Sequence, residues 1–185
     1  MKSKKTQYMT SMALFLAIEI ILVVTPLGYI PIGPLNATTM HIPVIIAGIV
    51  LGKKAGAELG FVFGLTSLIK ATIQPGITSF CFSPFVTIGT MSGNYKSLLL
   101  GYLAGLVFGI MKKNNRENLG VVVGALTGAI TNTVLVLSGI YIFFGEAYAS
   151  AVGVQYSTLV TVLLGVVSTN GILEAILGAI VSLAI

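Results

Sequence analysis

Tryptophan and aspartate do not occur in this chain, and cysteine and histidine occur once each, as Cys81 and His41. A lone cysteine cannot close an internal disulfide, so cysteine usage says nothing about redox compartment. One histidine, one cysteine and no aspartate leave no spacing that holds a metal, and no cofactor is implied. Also absent are a G-x-x-x-x-G-K-[ST] phosphate loop, an H-E-x-x-H helix and a G-x-S-x-G elbow. The chain has no means of using ATP itself, and no catalytic residue is assigned. An enzyme would have to be built from Glu19, Glu58, Glu174 and His41, which fall at different depths of the pattern described below. Convergence of Glu19, Glu174 and His41 around one cavity would favour that reading. Glu58 follows Lys54 by four residues and reads as a surface pair.

Charge is scarce as well. Only 8% of the 185 residues are charged, 56% are hydrophobic, and the mean hydropathy is +1.03. A soluble core has no use for so much apolar surface. A spanning helix takes roughly 20 residues, so the chain has room for about six crossings and for no separate soluble domain. Apolar runs cover about Tyr8 to Thr25, Ala37 to Gly52, Ala55 to Ala71, a fourth ending near Met111, Leu119 to Phe144, and Tyr156 to Ile185. The expected fold class is an all-α integral membrane protein, a six-transmembrane-helix bundle with structured extracellular loops, in one domain over residues 1–185. The first run is span-length and lacks a small-x-small cleavage site, so it reads as a retained helix rather than a signal peptide.

The net charge of +5 is explained by topology rather than by nucleic acid. With six spans and a cytoplasmic N-terminus, Lys2, Lys4, Lys5, Lys53, Lys54, Lys112, Lys113 and Arg116 all fall inside. Of the ten cations only Lys70 and Lys96 fall outside. The positive-inside rule then places both termini in the cytoplasm.

Glycine recurs every four residues at Gly48, Gly52, Gly56, Gly60 and Gly64, at Gly101, Gly105 and Gly109, and at Gly120, Gly124 and Gly128. Such spacing lets helix backbones approach closely in lipid, where packing rather than the hydrophobic effect drives association. Internal packing is the expectation for these. Ala13 and Ala17 differ, because Glu19 lies about 200° around the helix from Ala17. If Glu19 points into the bundle, the alanines point outward, to lipid or to a partner.

Intramembrane polar residues are costly and are kept for a cavity or a partner. Asn132 falls in the outer half of the fifth run, and Asn170 and Glu174 share a face of the sixth at i and i+4. Thr131 and Thr169 accompany the asparagines. An amide offers donors and an acceptor to a small polar ligand, and equally to a neighbouring helix. His41 stands at the outer start of the second run, after Thr38 and Thr39, and reads as a helix-start hydrogen-bonding group rather than a metal ligand. Two connections lie outside. The first, from Pro26 to Asn36, holds three of the six prolines and predicts an ordered turn. The second, from about Thr72 to Asn94, is long and carries Gln74, Phe80, Cys81, Phe82 and Phe85, a composition suited to a cover that excludes water. Lys70 and Lys96 border it, placed to meet an anionic group or to snorkel to headgroups.

The block from Met40 through His41, Ile42, Pro43, Val44, Ile45, Ile46, Ala47 and Gly48, with Leu51, Gly52, Ala55 and Gly56, resembles the second-helix signature of the substrate-binding S components of energy-coupling factor (ECF) vitamin transporters. Ser83-Pro84-Phe85, Leu126-Thr127-Gly128, Thr131-Asn132-Thr133 and the pair Asn170 and Glu174 are similar too, and Ala13 with Ala17 looks like the A-x-x-x-A docking motif on helix one. The resemblance spans essentially the whole chain. It implies a non-enzymatic subunit in the plasma membrane of a prokaryote that captures a water-soluble vitamin at the outer face. Docking would be on a membrane coupling subunit carried by two cytoplasmic ATPases. By position, Asn132 and Asn170 would line the pocket, and Ala13 and Ala17 would dock. Among the branches the chain is most similar to that for pantothenate, an amide with hydroxyls and one carboxylate, which the asparagines and a lysine suit. Folate, riboflavin or a hydroxymethylpyrimidine-type vitamin stay open. The lack of tryptophan speaks against a large stacked ring, although Phe80, Phe82, Phe85 and Tyr95 can replace it. A membrane-embedded enzyme or a stand-alone secondary carrier are the readings of other class, and a carrier would show an internal repeat that this chain lacks.

Overall fold

The computed structural model describes residues 3–32, 35–73 and 87–184, without the side chains at 29–32, 35–37, 68, 71, 72 and 87–97. The first helix, α1, runs Lys4–Val24 and opens on Ser3, whose hydroxyl accepts the Lys5 N–H at 3.3 Å. It stops because Thr25 precedes a proline and turns extended, at φ −103° and ψ 158°. A 3₁₀ turn over Pro26–Gly28 then leads into an antiparallel hairpin of β1 (Tyr29–Ile32) and β2 (Leu35–Thr38), with Tyr29 opposite Thr38. The sequence pattern predicts helix from about Ala37. Instead the helix, α2, begins at His41, because residues 29–38 carry two prolines among β-branched and aromatic residues and pair as strands.

Helix α2 covers only His41–Val50, a rise of about 15 Å and half of a hydrocarbon core. Gly52, at φ +98°, ends it in a conformation that favours glycine, and α3 follows directly at Lys53–Ile73. Helix α4 spans Thr87–Lys113, so Tyr95 and Lys96 belong to a helix rather than to the border of a loop ending near Asn94. Asn115, at φ 55°, makes the turn into α5, and the Arg116 N–H closes it on the Met111 carbonyl at 3.1 Å. Lys112 and Glu117 form an ion pair across this turn. Helix α5 then runs Glu117–Val152, about 54 Å. It passes the expected end at Phe144, since Ala147, Ala149 and Ala151 sustain helix until Gly153 caps it at φ 76°. The last run is divided into a 3₁₀ turn at Tyr156–Thr158, α6 at Leu159–Val166, a π turn at Val167–Gly171 and α7 at Ile172–Leu183.

The fold is thus helical with one small hairpin. Among the described residues, three helical stretches are long and apolar enough to cross a bilayer, Lys4–Val24, Glu117–Val152 and Tyr156–Leu183. Exposed Val24, Ile142 and Ile180 show that apolar side chains face outward, as they do in lipid and not in water. Inside, Met40, Val44, Ile45, Leu59, Phe63 and Leu100 form the core where α2, α3 and α4 meet, and α1 lays Phe15, Leu16 and Leu22 on it. A second cluster of Leu137, Ile140, Tyr148, Leu159 and Leu163 joins the far half of α5 to α6. Two hydrogen bonds hold α1 against α3, one near each end. Lys70 Nζ donates to the Val23 carbonyl at 2.8 Å, and Tyr8 Oη donates to Glu58 Oε2 at 2.7 Å. Glu58 is therefore engaged by Tyr8 from α1 rather than paired with Lys54, because the neighbouring helix brings a donor within reach.

Backbone contact at glycine decides how the short α2 is seated. A Cβ on Gly48 would stand 2.5 Å from the Gly101 carbonyl oxygen, one on Gly56 or Gly101 would strike the other's carbonyl, and one on Gly105 would strike that of Gly48. The four-residue glycine spacing thus serves packing here, as expected. Gly52 and Gly109 are different, the one a turn and the other with open space beside it. Gly101→Val should therefore destabilise the protein by about 3 kcal/mol, since the obstructing atoms are main chain and cannot rotate away. Gly109→Ala should be neutral or stabilising by up to about 1 kcal/mol. Thermal unfolding in detergent compares the two, and equal melting temperatures would refute the contact.

Candidate functional site

A buried polar set gathers where the hairpin, the start of α2, α5 and the π turn come together. Asn132 on α5 and Asn170 in the π turn are each 4% exposed, and Glu174 and His41 are buried with them. Their proximity follows from packing. A Cβ on Gly171 would lie 3.3 Å from Thr133 Cγ2, so the residues next to Asn132 and Asn170 touch across the α5 interface. One on Gly178, a turn beyond Glu174, would lie 4.0 Å from His41 Nε2, which sets α7 beside the first turn of α2. Strand β2 touches the π turn.

One hydrogen bond ties these elements together. The Thr38 backbone N–H donates to Glu174 Oε1 at 2.6 Å across 136 residues of sequence. It is part-buried and involves a carboxyl group, the kind of bond that contributes most when water is excluded. The base of the hairpin is braced further by Thr39 Oγ1 donating to the Leu27 carbonyl at 2.6 Å and Thr38 Oγ1 donating to that of Gly28 at 3.2 Å. Gly28 itself is buried where a Cβ would collide with the Leu22 carbonyl, so the hairpin leaves α1 tightly.

The π turn explains the local geometry of Asn170. Val167–Gly171 inserts wider turns into the helix, a feature common at functional sites. Asn170 and Glu174, four residues apart, are both buried, and the same spacing continues in buried Gly178 and Ser182. Thr169 Oγ1 donates to Asn170 Oδ1 at 3.3 Å and to the Gly165 carbonyl at 3.1 Å. Thr131 is half-buried on α5, while Thr169 is exposed. Neither ring nitrogen of His41 meets a hydrogen-bond partner among the described residues. Both oxygens of Glu19, fully buried on α1, meet no hydrogen-bond partner among the described residues. Buried polar atoms of this kind mark places where a ligand or water completes the structure.

Other expected site residues fall elsewhere. Lys70 sits near the end of α3 and reaches α1. Lys96 and Tyr95 lie on α4 and Asn36 on β2, with side chains outside the described ones, and Gln74, Phe80 and Cys81 lie outside the described residues. Ala13 and Ala17 are exposed while Glu19 is buried, so the two face apart as their spacing implies. Among the described residues no three histidine, cysteine or carboxylate groups converge on a possible metal position. The role of Thr38 was not legible, because a main-chain donor carries no residue signature.

Comparison with known proteins gives the set its context. Residues 7–185 match the family model described as ECF transporter, substrate-specific component. The pantothenic acid transporter PanT of Lactococcus lactis subsp. cremoris is 37% identical over 195 residues, covering 100% of this chain and 94% of that protein. The pantothenate transporter PanT of Leuconostoc mesenteroides subsp. mesenteroides is 34% identical over 197 residues, covering 100% and 93%. Family and relatives are transporters, not enzymes. A match over nearly the whole length, on a helical apolar protein with a buried polar set at one hairpin, shows that the chain belongs to the substrate-specific components of ECF transporters.

Proposed function

We propose that this protein is the pantothenate-binding subunit of an ECF importer, a multi-pass protein of a prokaryotic plasma membrane with both termini in the cytoplasm. What supports the reading is the burial of Asn132 and Asn170, with strand β2 touching the π turn and tied by the Thr38 N–H to Glu174. The two relatives named for pantothenate supply the ligand. From its start at Glu117, α5 rises about 22 Å to Asn132, which puts the amide in the half of the bilayer away from the Lys112 turn. That turn, with Lys53 and Lys54, is the cytoplasmic side by the positive-inside rule. The hairpin is then extracellular, and the site opens outward beneath it.

Pantothenate offers an amide, hydroxyls and a carboxylate. Asn132 and Asn170 read the amide and hydroxyl groups, helped by Thr131, Thr169, His41 and Asn36. The carboxylate is taken by Lys96 or by Lys70, which at the same time holds α1. Gln74, Phe80 and Tyr95 belong to the second cover. Force comes from outside the chain, from a membrane coupling subunit and two cytoplasmic ATPases, and the exposed Ala13 and Ala17 of α1 are the docking strip. Small side chains there let a partner helix approach at backbone distance.

Calorimetry on the detergent-solubilised protein should show pantothenate binding below micromolar. Asn132→Ala and Asn170→Ala should each weaken it by about 10-fold or more, the cost of a buried hydrogen bond lost at roughly 1.5 kcal/mol. Unchanged affinity in both would remove the site.

Glu174→Ala should release the hairpin, giving faster hydrogen exchange at the Thr38 amide and a higher dissociation rate for the vitamin. Glu174→Gln, which keeps an acceptor, should fall between the two. A Thr38 amide equally protected in all three proteins contradicts the latch.

For docking, Ala13→Trp and Ala17→Trp should leave vitamin binding intact and abolish uptake in cells that carry the coupling subunit and ATPases. Normal uptake by both variants would move docking to another face.

A further inference from the structure

At the end of the bundle away from the hairpin, a depression of about 330 Å³ opens between α2, α4, α5 and α7. Nothing in the transport reading uses it. Ile46 and Ile49 of α2 and Val121 of α5 make its apolar wall, and Lys112 and Glu117 stand at its rim. Ser182 of α7 completes the wall. Its residue is only 6% exposed and its hydroxyl has no hydrogen-bond partner among the described residues. A buried hydroxyl left unpaired loses the hydrogen bond it makes to water, so an acceptor supplied from outside would be favoured there.

The rim is basic. Lys112, Lys113 and Arg116 are all exposed at this turn, and Glu117, which pairs with Lys112, is their one acidic neighbour there. The Lys112 ammonium also lies 5.7 Å from the centroid of the Phe108 ring, which holds the cation over the mouth of the depression. A cation, a hydroxyl donor and hydrocarbon thus line one depression.

We infer that this depression binds the headgroup and glycerol region of one anionic phospholipid. The phosphodiester meets Lys112 and its basic neighbours, an ester carbonyl accepts from Ser182, and the first methylenes of an acyl chain pack on Ile46, Ile49 and Val121. A phospholipid joins phosphate, ester and chain in one molecule, and basic pockets between membrane helices take such headgroups. A free phosphate would leave the apolar wall and the Ser182 hydroxyl unused. The inference needs the helices to lie in a bilayer, and it does not depend on the identity of the transported vitamin.

The test uses the full chain in mild detergent, incubated with equimolar phosphatidylglycerol and phosphatidylcholine of distinguishable mass and examined by native mass spectrometry. One phosphatidylglycerol should be retained, preferred at least five-fold over phosphatidylcholine. Lys112→Gln should reduce the preference below two-fold. Asn118→Trp, at an exposed position on the rim, should reduce retention of both lipids at least five-fold while the helical circular dichroism and monodisperse elution in the same detergent stay those of the unaltered protein, which separates a blocked depression from a misfolded chain without calling on any vitamin. Equal retention of the two lipids by the unaltered protein, full retention by Asn118→Trp, or displacement by glycerol phosphate without acyl chains would each overturn the proposal.

Discussion

Main-chain contact between α2 and α4, and between α3 and α4, is the constraint from which the rest follows. Gly48, Gly56 and Gly101 place carbonyls where a side chain on the facing glycine, Gly105 among them, would stand. In a lipid environment there is no hydrophobic gain from pressing apolar helices together, so close packing has to supply the association. A ten-residue helix such as α2 cannot cross a bilayer, and its residues His41 to Ile49 are buried all round. It is stable because five neighbours, α1, α3, α4, α5 and α7, enclose it, and it is held high in the bundle because glycine lets it sit against α4. His41 thereby reaches the depth of Glu174 and Gly178.

The short helix also makes the hairpin possible. Because α2 starts only at His41, Ala37 and Thr38 at the head of the second apolar run belong to β2, which ends at Thr38 beside the π turn. The strands are too few to be stable alone, since a two-stranded hairpin is marginal in water. Their stability comes from anchors at the base, namely the Thr38 and Thr39 bonds to the preceding turn and the Glu174 bond from α7. The hairpin is thus fixed at its base by main-chain, hydroxyl and carboxyl bonds together. The buried polar set is drawn from α2, α5, the π turn and α7.

Much of this was readable in the residues and some of it was not, for identifiable reasons. The asparagines stood out because an amide in an apolar run is expensive, and both prove buried. The alanine strip and Glu19 divide between outside and inside as their angular separation requires. The glycine spacing identified close packing but not its partners, and it failed at Gly52 and Gly109, where a turn and an open surface use the same residue. Hydrophobicity placed the second run from Ala37 because a buried strand and a buried helix look alike in composition. The π turn had no signal, since a widened turn is selected by what packs on it. Glu58 found Tyr8 rather than Lys54, because a neighbour on another helix outcompetes one on its own.

Composition and periodicity by themselves determined that this is an apolar helical membrane protein with costly amides in its fifth and last helical runs and an alanine strip opposed to Glu19. Those properties are local, fixed by the transfer energy of each side chain and by the angle per residue of a helix. Only the tertiary structure decided that Thr38 meets Glu174, that α2 is short and enclosed, and that Gly171 of the π turn faces Thr133 of α5. These depend on contacts between residues far apart in the chain, and for the first two the deciding atoms belong to the main chain, which is the same in every residue and therefore silent in the sequence.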